Sequence, residues 1–152
     1  MHFYELIREQ AKKEDIVLFV DMDGVIASYN FGFPLDFKTK RPLETNIETL
    51  KKVSTIKNVE LHILSICKKD FQIKEKNDWL DQYAPFFKKE NRTVISKETF
   101  TNTSSSNLKL NYLKEFKTDK KMILVDDDNE VLKTISDGLD DVILYQDSEL
   151  ID

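Results

Sequence analysis

The sequence predicts an α/β fold with a parallel sheet of about five strands and helices on both faces, and three observations carry that expectation. Short runs rich in Val, Ile and Leu recur at residues 16–20, 59–64, 93–95, 122–125 and 142–145. They lack the sustained apolar–polar alternation of a strand that keeps one face in water. Segments of helical spacing lie between them: Leu43, Ile47, Leu50 and Val53 recur at intervals of three and four, as do Trp79 and Tyr83, and then Leu108, Tyr112 and Phe116. Acidic or hydroxyl residues follow three of the runs, at the end where an open α/β sheet binds its ligands.

In chain order, a leading helix over residues 3–12 turns Phe3, Leu6 and Ile7 inward and gives way to the first strand. Residues 29–41 carry the rings of Tyr29, Phe31, Phe33 and Phe37. A helix and strand then occupy residues 43–64, and a second helix carries Trp79 and Tyr83 toward the strand at 93–95. Residues 99–107, Thr-Phe-Thr-Asn-Thr-Ser-Ser-Ser-Asn, read as a mobile loop. The helix bearing Leu108 leads to the strand at 122–125. A last helix presents Val131, Leu132 and Ile135 as a short apolar face, with Gly138 as its stop. Strands alternating with helices imply right-handed crossovers within one sheet. No internal repeat is visible.

Composition bounds the function. The chain has 152 residues, the size of one domain, and its 40% hydrophobic content supplies a real core. With three Gly and three Pro it is neither collagen-like nor a linker. A net charge of −5 gives no electrostatic footprint for non-specific binding to nucleic acid or to an anionic membrane, so stable nucleic-acid binding is not expected. No run approaches the roughly 20 apolar residues that span a bilayer. Cys67, the single cysteine, excludes an intrachain disulfide and suits a reducing compartment, so the expectation is a cytoplasmic protein.

The chemistry sits just past the apolar runs. Asp21-Met22-Asp23-Gly24 follows the first, Ser65 the second, and Asp126-Asp127-Asp128 the fourth. A lone Asp after a strand is usually a turn residue or a helix cap. Acid pairs after two strands, with a hydroxyl after a third between them, form a joint pattern that capping does not explain. Five carboxylates leaving the sheet at one end repel one another unless a cation joins them, and oxygen ligands suit the hard ion Mg²⁺. Alternation along an extended strand end turns Asp21 and Asp23 to the same side.

Asp21-Met22-Asp23-Gly24-Val25 resembles the first motif of the haloacid dehalogenase superfamily of phosphohydrolases, Ser65 its second, and Asp126-Asp127 its fourth. More narrowly, residues 21–29 and 74–80 are similar to the 5′(3′)-deoxyribonucleotidase branch. The resemblance implies a three-layer Rossmannoid domain and a Mg²⁺-dependent phosphomonoesterase that works through an aspartyl-phosphate. In it Asp21 is the nucleophile, and Asp23 protonates the leaving alcohol and later activates water. Asp21, the backbone carbonyl of Asp23, and one or both of Asp126 and Asp127 hold the metal. Ser65 and the backbone N–H of Ile66 hold the phosphoryl oxygens. The third motif is a lysine, for which Lys109, Lys97 and Lys76 are all candidates.

Superfamily members often insert a cap between the first two motifs, but here the predicted helix and strand leave only residues 29–41 for it. The expectation is one domain over residues 1–152 with a minimal cap, the flap. Tyr29 falls where the deoxyribonucleotidases set an aromatic against the base, and the other flap rings are expected to pack on the core. The expected substrates are nucleoside monophosphates or similar small phosphate esters. The rivals are sugar phosphates, phosphorylated polymer ends, and a non-catalytic domain that keeps the fold for binding.

Overall fold

The computed structural model describes residues 2–29 and 37–151. Its strands are β1 (Ile16–Val20), β2 (Val59–Cys67), β3 (Arg92–Ser96), β4 (Lys121–Asp126) and β5 (Val142–Gln146). Its helices are α1 (Phe3–Ala11), α2 (Glu44–Val53), α3 (Phe71–Tyr83), α4 (Ser105–Glu115) and α5 (Asn129–Gly138). The five strands pair in parallel in the order β3-β2-β1-β4-β5.

Two cores follow from the pleat of β1, every residue of which is buried. Ile16, Leu18 and Val20 point into a core shared with Phe3 and Ile7 of α1, Leu50 and Val53 of α2, and Trp79 and Leu80 of α3. Val17 and Phe19 point the other way, onto Leu113 of α4 and Val131 and Ile135 of α5. The molecule is thus three layers, helix on sheet on helix, as the runs of Val, Ile and Leu predict. The edge strands β3 and β5 are only half-buried. Among the described residues no helix is long and apolar enough to cross a membrane.

Two local expectations need correction. Leu6 is half-buried rather than core, because the inward stripe of α1 runs Phe3, Ile7, Ala11 at a spacing of four. Residues 105–107 are not loop: Ser104 caps α4 by accepting from the Asn107 N–H at 3.1 Å, and the Ser-rich run that reads as loop is a helix start. Gly138 ends α5 as expected, without a left-handed conformation. It is a close-approach glycine, since a Cβ there would lie 2.8 Å from a methyl of Leu110 on α4. Phe31 and Phe33 lie outside the described residues.

The topology fixes the site. From β1 the chain steps outward through β2 to β3, then returns to the far side of β1 for β4 and β5. The order therefore reverses between β1 and β4, the switch point where α/β sheets leave a crevice beyond their carboxyl ends. Val20 and Val125 are in register there, so the acids that follow each strand emerge side by side.

Candidate active site

Beyond β1 the chain turns back on itself. The N–H groups of Val25, Ile26 and Ala27 all donate to the Met22 carbonyl at 3.0–3.1 Å, and the Gly24 N–H donates to Ala27. Gly24 makes this possible with a φ of +79°, and it also makes room. A Cβ at Gly24 would lie 2.1 Å from Asp127 Oδ2 and 2.7 Å from the Tyr29 hydroxyl. The glycine is what lets the loop after β1 and the loop after β4 share one space.

Asp21, Asp126 and Asp127 meet in that space, each offering a carboxylate oxygen within 4.8 Å of the others. Lys109, in the second turn of α4, reaches between two of them, 2.6 Å from Asp126 Oδ2 and 3.2 Å from Asp21 Oδ1. Asp126 is 0% exposed, and its other oxygen accepts from the Asp128 N–H at 3.0 Å. Asp127 accepts from the Tyr29 hydroxyl. Asp128, third in the acidic run, caps α5 through the Glu130 N–H at 2.9 Å.

Burial decides the electrostatics of this group. It pushes the Asp21 carboxyl up to about 6, against the pull of Lys109 and with the push of neighbouring Asp126. Asp126 and Asp127 are pushed up by burial too, with Lys109 and the Tyr29 hydroxyl opposing. Burial works against a charged Lys109, yet the two aspartates outweigh it and hold its ammonium.

Asp23 stands in a different environment. Lys40 Nζ donates to its Oδ1 at 2.5 Å and Lys76 Nζ to its Oδ2 at 3.0 Å. Burial raises the Asp23 carboxyl, but Lys76 and Lys40 outweigh burial and bring it below the usual aspartate value. Lys76 is 2% exposed and donates further to Ser65 Oγ at 2.6 Å and to the Ile66 carbonyl at 2.9 Å. One lysine of α3 thus ties the residue after β1 to Ser65 and Ile66, which lie within β2 rather than beyond it as the sequence suggests.

The sequence-derived candidates divide accordingly. Asp21, Asp23, Tyr29, Ile66, Lys109, Asp126 and Asp127 line one cleft of about 480 Å³, together with Ser105, Asp128, Asn129 and Val131. Ser65 is fully buried and meets the group through Lys76 instead of lining the cleft. Lys97 does not line it, and its N–H pairs with the Cys67 carbonyl. Phe37 is buried with its ring edge-on to Trp79, as expected for a core ring, whereas Tyr29 is 53% exposed. A larger groove of about 580 Å³ opens among Asp15, Asn58 and Leu61 at the opposite, amino-terminal end of the strands, and none of the candidates lines it.

Lys40 is the residue that sequence reasoning missed. It lies in the flap region and carries no periodic or motif signal. Lys76 does carry one: it stands three and four residues before Trp79 and Leu80, and Gln72, Lys76, Trp79 and Leu80 form the buried stripe of α3. A charged residue inside an otherwise buried stripe is one that must find partners.

No family model matches the chain, and no curated protein does. Among solved structures, a chain in a structure of the Pnkp1/Rnl/Hen1 RNA repair complex superposes with a TM-score of 0.69 at 16% identity, covering 88% of this chain and 42% of that one. A chain in another structure of the Pnkp1/Rnl/Hen1 complex gives 0.68 at 16% identity, covering 88% of this chain and 46% of that one. The likeness is one of fold, and the chain spans less than half the length of these neighbours.

Proposed function

We propose that the protein is a Mg²⁺-dependent phosphomonoesterase of the haloacid dehalogenase type, working through an aspartyl-phosphate on Asp21. The observation that carries the reading is the division of labour between two carboxylates of one loop. Asp21 lies in the acid cluster with Lys109, and Asp23, in the same cleft, pairs with Lys40 and Lys76. A phosphoryl group bound between them meets a nucleophile on one side and a proton-transfer group on the other.

The chemistry follows from that division. An Asp21 carboxylate oxygen attacks phosphorus as the bond to the leaving oxygen breaks; Asp23, ionised between Lys40 and Lys76 in the free protein, takes up a proton from solvent under the negative charge of the bound phosphate and passes it to that oxygen. Water then attacks the phosphoryl group, Asp23 takes the proton from it, and the bond to Asp21 breaks to release phosphate. Lys109 holds Asp21 and Asp126 in place and offsets charge during both steps.

The donor set fits a divalent ion. Asp21, Asp126 and Asp127 are hard oxygen donors within 4.8 Å of one another, and burial in the absence of a cation disfavours their charges. Mg²⁺ held there would screen the approach of a phosphate dianion to Asp21.

Two substrate readings follow. Nucleoside monophosphates suit the exposed Tyr29 ring at the cleft, and stacking on a base contributes about 1–3 kcal/mol. A phosphorylated polymer end is the second reading, and the likeness in fold to chains of an RNA repair complex favours it. The test is phosphate release from an aryl phosphate, thymidine 5′-monophosphate and a 3′-phosphorylated oligonucleotide, each with Mg²⁺ and with a chelator. Mg²⁺-dependent release is expected, and its absence on all three substrates overturns the reading.

A further inference from the structure

We infer that Lys40 is a positioning residue, the one through which the flap region orients Asp23. The inference rests on the phosphatase reading above, and it starts from the two oxygens of one carboxylate. Lys76 Nζ lies 3.0 Å from Asp23 Oδ2 and already supplies the charge that a half-buried carboxylate needs. Lys40 adds a second ammonium on the other oxygen, at 2.5 Å. One partner leaves a carboxylate free to swing about its Cβ–Cγ bond. A partner on each oxygen fixes the plane of the group, and with it the direction in which a proton can be given or taken.

Lys40 is itself held from three sides. Its backbone carbonyl accepts from the Trp79 indole N–H at 3.0 Å. Its ammonium lies 5.0 Å from the centre of the Phe37 ring and 5.8 Å from that of Tyr29, within range of cation–π attraction to both. The residue is 9% exposed, so its charge has little water of its own. Burying an ammonium at a carboxylate that already has a partner is a poor route to stability, because desolvation offsets much of the attraction. The arrangement makes sense as orientation. Among the described residues the flap region contributes no carboxylate to the site, and through Lys40 it reaches the proton-transfer group directly.

Two alternatives make different demands. If Lys40 binds substrate, its loss weakens binding. If it only packs the flap, its loss lowers stability and acts independently of Asp23. Steady-state kinetics on thymidine 5′-monophosphate with Mg²⁺ separate these, using Lys40→Gln, Lys40→Arg, Asp23→Asn and the double variant Lys40→Gln/Asp23→Asn, each with its melting temperature. Positioning predicts that Lys40→Gln lowers kcat at least tenfold with KM changed less than threefold, and that Lys40→Arg recovers most of the loss. It also predicts that adding Lys40→Gln to Asp23→Asn lowers kcat less than twofold further, since there is then no carboxylate to orient. A rise in KM with kcat kept, or full multiplicative losses in the double variant, overturns the assignment. If Lys40→Gln fails to fold, Lys40→Arg and Lys40→Met carry the same comparison. Absence of turnover in the unsubstituted protein on thymidine 5′-monophosphate, the aryl phosphate and the 3′-phosphorylated oligonucleotide alike overturns the phosphatase reading, and the role of Lys40 falls with it. Turnover that ignores Lys40 overturns the Lys40 inference alone.

Discussion

Asp21 and Tyr29 carry the sharpest expectations at the scale of single residues. Asp21→Asn removes the attacking charge and keeps the size. Lys109 retains Asp126 at 2.6 Å, so the ammonium still has a counter-charge and the fold is expected to persist. Turnover should vanish while circular dichroism stays unchanged; appreciable Mg²⁺-dependent activity in this variant would falsify the nucleophile assignment. Tyr29 is half-exposed at the cleft and hydrogen-bonded to Asp127. If its ring stacks on a base, Tyr29→Ala should raise KM for a nucleotide about tenfold or more, the equivalent of 1.4 kcal/mol, and leave KM for a small sugar phosphate nearly unchanged. A surface ring contributes little to folding, so the melting temperature should move little. Equal losses on both substrates, with lowered stability, would mean that Tyr29 packs rather than binds.

At the scale of elements, Gly138 tests how closely α4 and α5 approach. Alanine is favoured over glycine within a helix by about 1 kcal/mol. Against that, the new methyl would stand 2.8 Å from Leu110, and overpacking of this kind costs about 1–3 kcal/mol. The clash wins, and Gly138→Ala should destabilise the protein by about 1 kcal/mol in urea unfolding. In a Leu110→Ala background the sign should reverse, because only the propensity gain remains. Destabilisation that persists in that background would show that something other than the Leu110 contact forbids the methyl. Gly138 also marks what a sequence conceals: a glycine at a helix end reads as a left-handed stop, and nothing local reveals a neighbouring helix. The strands were legible because burial on both faces demands continuous Val, Ile and Leu, and the acids because they follow the strands directly. Lys109 was legible by its place ahead of β4. Lys76 was legible only as one of three candidate lysines and Lys40 not at all, for a physical reason: a long side chain reaches far from its own backbone, and with 23 Lys and Arg in the chain most such charges are solvated. The buried stripe of α3 was the available signal for Lys76. For Lys40 the deciding contact, the Trp79 indole on its carbonyl, joins elements far apart in sequence.

At the scale of the whole molecule, the acid cluster ties stability to pH and to metal with opposite signs. Burial first, and the push of Asp126 after it, raises the Asp21 carboxyl from the ordinary 3.8 to about 6. Between those values the folded protein binds more protons than the unfolded chain, so its stability falls as pH rises through that window. Asp126 and Asp127 are displaced in the same direction and add to the slope. A divalent cation reverses the effect, since it binds the same oxygens in their deprotonated form and only in the folded state. At a concentration of 100 Kd such a ligand stabilises by about 2.7 kcal/mol. The melting temperature of the metal-free protein should therefore fall between about pH 4 and pH 7 more steeply than that of Asp21→Asn, which lacks the titrating group. Addition of Mg²⁺ should raise the melting temperature, and by more at about pH 7 than at about pH 5, because at the lower pH the ion competes with protons. Asp127→Asn, which removes one of the three carboxylate charges without touching Lys109, should shrink that increment at both pH values. An increment that is equal at the two pH values, or that survives Asp127→Asn intact, would place the metal elsewhere and separate the acid cluster from the chemistry proposed for Asp21.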